Sequence, residues 1–129
     1  MPTVGRYMTR EPRSVRPEDS LASVYAVMTR HQIRHVPVMD NDDLIGIIHE
    51  SDIWVVLAVP AANLAVIPAR RVAHAPTCVW KETPLDEVAR QMADKKCDAV
   101  VVRGGGGIEG IFTSSDALRA LGDVLERAA

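Results

Sequence analysis

Cysteine is scarce in this 129-residue sequence, with only Cys78 and Cys97 and no C-x-x-C spacing. Both sit among apolar neighbours and read as reduced small hydrophobes, as expected of a cytoplasmic protein. Clustered basic charge is missing too. Fifteen Lys and Arg stand against seventeen Asp and Glu, for a net charge of −2 with no long basic run. That excludes the electrostatic footprint of a nucleic-acid binder or a polybasic membrane patch. Residues 1–16 carry charges and prolines where a secretory signal needs an apolar core. The longest uncharged stretch, residues 53–69, is seventeen long and holds Pro60, Asn63 and Pro68. It falls short of the roughly 20 residues of a spanning helix and reads as a buried helix plus an apolar connector.

Motifs of catalysis are also lacking. Gly104 to Gly107 is a glycine run with no Lys-Ser/Thr after it, so it reads as a hairpin turn, not a phosphate loop. Asp40-Asn41-Asp42-Asp43 resembles half a calcium loop, but Leu44 takes the third ligand position, which leaves a solvated turn. His31 and His35 are four apart, yet a helix end is expected between them and no Cys or acid stands at zinc-ligand spacing, so no metal site is expected. No serine sits in a nucleophile elbow and no base is paired with a nucleophile, which gives no sign of an enzyme.

What the chain has is a repeat. A gapless offset of 64 residues carries Pro12 onto Pro76, Val15 onto Val79, Leu21 onto Leu85, Val24 onto Val88 and Met28 onto Met92. It goes on to carry Val36 onto Val100, Val38 onto Val102, Gly46-Ile47 onto Gly110-Ile111, and Ser51-Asp52 onto Ser115-Asp116. Matches that fall mainly on apolar positions mean two copies of one folding unit. Each copy starts with a short extended piece around Ser14-Val15 or Cys78-Val79. An amphipathic helix follows, with Leu21, Val24, Tyr25 and Met28, or Leu85, Val88, Ala89 and Met92, on one face. Asp19 and Thr83 are its expected N-caps, with Pro84 at the first helical position. Strands are expected over 35–39 and 44–48, and over 99–102 and 108–112. A second helix is expected over 50–59 and 114–125.

The fold class is therefore α+β, two β-α-β-β-α repeats. A half of about 50 residues buries too little core alone, so Tyr25, Val27 and Trp54 are expected to be covered by the other copy across a pseudo-two-fold axis, leaving two clefts. Each strand-to-helix junction, His49-Glu50-Ser51-Asp52 and Thr113-Ser114-Ser115-Asp116, has two readings. It is a capping box, or it is a place where unpaired N–H groups and a carboxylate meet an anionic or polyhydroxyl ligand.

Pro12-x-x-Val15, Ile33-Arg34-His35-Val36-Pro37-Val38 and the repeated Gly-to-Asp segment ending in Thr113-x-x-Asp116 resemble a tandem cystathionine-β-synthase (CBS) domain pair. The resemblance spans about residues 7–121: repeat 1 over 7–58, an apolar linker over 59–70 and repeat 2 over 71–122, with 1–129 one stand-alone module. It implies a regulatory module that binds an adenosine ligand, AMP, ADP, ATP or S-adenosylmethionine, in the clefts, and that forms homodimers acting on an unidentified partner protein. Carried over by position, Thr113 and Asp116 meet the ribose, Pro12 and Ser14 lie near the base, Arg34 and His35 lie near the phosphates, and Val36 is a further expected ligand-binding residue. The second cleft departs from the pattern. His49 replaces the Thr beside Asp52, and Pro76, Cys78, Asp98 and Ala99 complete it, so a weaker site is expected there. A constitutive dimerisation scaffold with empty clefts, or an S-adenosylmethionine sensor, remains the alternative. The apolar second helices (Ile53, Trp54, Val56 and Leu57; Leu118, Leu121 and Leu125) are the expected dimer surface.

Overall fold

A computed structural model describes residues 1–129. In chain order the elements are α1 (Val4–Tyr7), β1 (Thr9–Arg10), α2 (Leu21–His31), β2 (His35–Asp40), β3 (Asp43–His49) and α3 (Glu50–Leu57). A 3-10 turn (Ala69–Arg71) leads into β4 (Cys78–Trp80), α4 (Leu85–Lys95), β5 (Ala99–Gly104), β6 (Gly107–Thr113) and α5 (Ser114–Ala128). The class is α+β, as the patterning implies.

The repeat persists in fine detail. Both first helices end on a left-handed residue, Gln32 with φ 54° and Lys96 with φ 52°, which are again 64 apart. Both hairpins shift register at equivalent places, Val38/Met39 and Val102/Arg103. The offset also carries one core onto the other. Val15, Leu21, Val24, Met28, Val36, Val38 and Ile48 form one cluster, and Val79, Leu85, Val88, Met92, Val100, Val102 and Phe112 form the other. The hairpin turns are as expected, with Asn41 at φ 54° and Gly107 at φ 111° where the chain reverses.

The expected helix starts shift by one residue. Ser20, not Asp19, caps α2 by accepting from the Ser23 N–H at 3.2 Å. Asp19 is engaged a turn earlier, accepting from the Arg16 N–H at 2.8 Å. Pro84, not Thr83, is the cap residue of α4, and its ψ of 139° keeps it outside the helix.

The chain divides into two compact units, and they do not follow repeat order. One unit comprises Met1–Pro12 with Thr77–Ala129, and the other is Arg13–Pro76. Each repeat thus closes its sheet with the segment that precedes the other repeat. In the first unit the sheet order is β1-β6-β5-β4, with Thr9 opposite Ile111 and Arg10 opposite Gly110. Val4 and Met8 enter its core. In the second unit His74 pairs antiparallel with Ile47, and Val15 pairs parallel with Val38, beside the β2-β3 hairpin. Residues 59–70, read as a connector, are part of this unit. Leu64 and Ile67 pack on its core, and their carbonyls accept from the Ala22 and Leu21 N–H groups at 3.1 and 2.9 Å. Tyr25 and Val27, expected to await another copy, pack against the core of their own unit.

This crossing explains why the repeat keeps a glycine before each apolar run. A Cβ on Gly110 would lie 2.6 Å from the Met8 sulfur and from the Thr9 carbonyl oxygen. A Cβ on Gly46 would lie 2.9 Å from the His74 carbonyl oxygen. Backbone cannot yield cheaply at such distances, so Gly110→Ala should lower stability by about 1–3 kcal/mol. Gly122, inside α5 with open space around it, should behave oppositely, Gly122→Ala adding about 0.5–1 kcal/mol. Urea denaturation of the two variants checks both signs.

Candidate functional site

The junction of β6 with α5 is built around the Asp116 carboxylate, whose side chain is 5% exposed. Thr113 is the N-cap, and its Oγ1 accepts from the Asp116 N–H at 3.3 Å. Asp116 reaches back in turn, its Oδ2 accepting from the Thr113 N–H at 3.0 Å and from the Thr113 hydroxyl at 3.2 Å. Two further donors come from beyond the cap. The Thr9 hydroxyl lies 3.1 and 3.2 Å from Oδ1 and Oδ2, and the Arg119 guanidinium lies 2.8 Å from Oδ1. A carboxylate offers about four lone-pair sites, and four donor groups meet it here. Both sequence readings of this segment therefore begin from one geometry. The capping box is formed, and a buried carboxylate stands at the start of a 15-residue helix, where the unpaired N–H groups add positive potential.

The equivalent junction of β3 with α3 is built differently. His49 does the work of a threonine, its Nδ1 accepting from the Ser51 N–H at 2.9 Å, which leaves the ring proton of the neutral form on Nε2. The His49 N–H donates to Asp52 Oδ2 at 2.8 Å, and the His74 ring reaches the same oxygen at 3.2 Å. The Asp52 side chain is 30% exposed, against 5% for Asp116. His35 lies opposite His49 across the hairpin, with ring centroids 4.5 Å apart.

The other expected site residues are distributed between the two units. Pro12, Cys78, Asp98, Ala99, Thr113 and Asp116 belong to one, and Ser14, Arg34, His35, Val36, His49, Asp52 and Pro76 to the other. Arg34 is exposed at the entry to β2, and its carbonyl accepts from the Glu50 N–H at 2.8 Å. Ser14 is exposed as well. Val36 is wholly buried in the core of its unit, so its side chain belongs to packing. Cys78 departs from the expectation of a buried small hydrophobe. It is an exposed free thiol on β4, whereas Cys97 packs against the core. His31 and His35 lie either side of the helix-ending Gln32, as the sequence implied. Desolvation, then Arg13 and Arg30, hold the His31 imidazole below its ordinary pKa. Sequence reasoning missed Thr9, His74 and Arg119. Only Arg119, three residues after Asp116, had a local signal. No helix is long and apolar enough to cross a membrane.

A family profile described as CBS domain matches residues 4–53 and 69–123. The chain belongs to the CBS domain family. Among solved CBS structures, a Vibrio cholerae protein given the name AcuB is similar over 98% of this chain and 94% of its own, at 29% identity and a TM-score of 0.87. CBSX2 in complex with AMP is similar over 96% and 98%, at 21% identity and a TM-score of 0.82. A curated relative, the zinc metalloprotease MJ0392 of Methanocaldococcus jannaschii, is 30% identical over 114 residues. The match covers 88% of this chain but 30% of that protein. Other CBS structures of the same fold are complexes with ATP, in a bacterial CNNM/CorC family Mg2+ transporter, and with 5'-methylthioadenosine and S-adenosylmethionine, in MJ0100.

The two CBS junctions should differ in how much they hold the fold together. Asp116→Ala removes the buried acceptor that the Thr113 N–H, the Thr113 and Thr9 hydroxyls and Arg119 share, which should cost on the order of 2–3 kcal/mol. Asp52→Ala removes one cap acceptor from a partly hydrated site, for about 1 kcal/mol. Denaturant midpoints of the two variants test the order, and a larger loss at Asp52 would overturn it.

Proposed function

We propose that this CBS pair is a regulatory, non-catalytic module that binds an adenosine nucleotide through the Thr113-x-x-Asp116 junction. The observation that supports this most is a carboxylate fixed by its own capping box at a helix start, with a geometry set before any ligand arrives. A carboxylate so held suits two neighbouring sugar hydroxyls as donors. The AMP, ATP and S-adenosylmethionine complexes of relatives with this fold support the ligand class. The remaining contacts in the proposal follow the family resemblance. By that resemblance Pro12 and Ser14 would serve the base, and Arg34 and His35 the phosphates. A weaker second site would involve His49, Asp52, Pro76, Cys78, Asp98 and Ala99, where Asp98 takes the position that Arg34 holds in the first.

A calorimetric titration with AMP, ATP and S-adenosylmethionine tests this reading. One tight site per chain is expected. The anionic nucleotides should bind more tightly than the cationic sulfonium, because Arg34 can grip a phosphate. Asp116→Asn should weaken the tight site at least tenfold, and Asp52→Asn should leave it nearly unchanged. Stabilisation near 2.7 kcal/mol is expected at a ligand concentration of 100 times Kd. No heat and no stabilisation with any of the three would favour a scaffold with empty sites.

Assembly is part of the same proposal. Trp54, Val55 and Leu57 on α3, and Leu118, Leu121 and Leu125 on α5, are all exposed. Ile53 and Val56, which the apolar run also offered, instead pack in the core of their own unit. Two helices with large apolar side chains left in solvent suit a homodimer. Light scattering at micromolar concentration should give twice the chain mass, and Leu118→Glu with Leu121→Glu should return it to the monomer mass.

A further inference from the structure

Asp116 cannot take a sugar hydroxyl without letting something go. Its carboxylate already receives the Thr113 N–H, the Thr113 hydroxyl, the Arg119 guanidinium and the Thr9 hydroxyl. The four differ in how readily they can leave. The Thr113 N–H is backbone and cannot turn away without undoing the helix start. The Thr113 hydroxyl is held from its other side by the Asp116 N–H. Arg119 makes the shortest bond of the set, and that bond is charge-assisted at both ends. Thr9 is neutral, exposed, and shares one proton between two oxygens at 3.1 and 3.2 Å. Replacing its O–H by a ligand O–H exchanges like for like, so Thr9 is the donor that yields.

We propose that Thr9 is a built-in competitor for the ligand's hydroxyl, and that its displacement reports occupancy to residues 9–12. This rests on the nucleotide reading of Asp116. The segment is suited to respond. It has only two ladder residues, Thr9 and Arg10, and a long 3.3 Å bond from the Glu11 N–H to the Glu109 carbonyl. Glu11 itself is left-handed at φ 47°, a conformation an L-residue keeps only when its surroundings hold it. Val4 and Met8 stay anchored in the core, so the effect ends before α1. On its other side the segment runs to Pro12, where the chain leaves this unit for the next. Occupancy at Asp116 therefore reaches the connection between the units through one hydroxyl.

Thr9→Val keeps the shape and the β-branch while deleting the donor, and Thr9→Ser restores the donor. The test measures ATP and AMP affinity by calorimetry, and hydrogen–deuterium exchange of residues 9–11, in the full chain of each variant. One lost neutral hydrogen bond corresponds to roughly a two- to tenfold change. Thr9→Val should bind nucleotide two- to tenfold more tightly, and Thr9→Ser should bind like the unmodified protein. Exchange over residues 9–11 should quicken when the unmodified protein binds nucleotide. In Thr9→Val it should be fast already and change little. Tight binding in Thr9→Val with none measurable in the unmodified protein would be the strongest form of the same result. Unchanged or weaker affinity in Thr9→Val, with binding intact in the unmodified protein, would overturn the competition and leave the nucleotide reading standing. No binding by any of the three proteins would remove the nucleotide reading, and the competition with it.

Discussion

Each compact unit closes its core with a segment that precedes the other repeat, and the rest of the structure is arranged around that crossing. Met1–Pro12 completes the sheet of the second repeat, and residues 59–76 complete the first. Backbone must lie close against backbone at the crossing, which is why Gly46 and Gly110 carry no side chain there. Neither repeat is a separate bead on the chain. Each depends on residues that belong, in sequence, to the approach to the other.

The same crossing sets what the helix-start carboxylates touch. Asp116 meets Thr9, and Asp52 meets His74, so in both units the acid at the junction is tied to the crossing segment. The acid proposed to hold a ligand is thereby also placed to hold a strand. The two junctions nonetheless differ in kind. Thr113 caps with a hydroxyl and Asp116 is buried, whereas His49 caps with an imidazole nitrogen and Asp52 is partly exposed. Divergence between repeated copies has thus produced two acceptors of unlike availability from one plan.

For a regulatory module this arrangement joins binding and response without any additional element. On the proposed reading, a preformed acceptor would lower the cost of ordering the site on ligand arrival, and a displaced donor would make occupancy visible in the strand that supplied it. The exposed apolar faces of α3 and α5 lie on the helices that begin at these junctions. The helix start and the exposed apolar face therefore share one element in each unit.

Much of this was written in the sequence. The 64-residue offset, the period of the apolar positions and the turn residues determined the two α+β repeats, their cores and their hairpins, because those features depend on near neighbours and on a period the chain itself displays. Thr113 and Asp116 were legible for the same reason, being three residues apart across a helix start. Helix caps were legible only to within a residue, since Asp19 and Ser20 compete for one role and local hydrogen bonding chooses between them. Which segment completes which sheet was decided by tertiary structure alone. Thr9 and Asp116 are 107 residues apart, and no periodicity relates them. Their contact exists because the Met1–Pro12 segment pairs with β6, an outcome of packing apolar surface across the whole unit and not of any local preference.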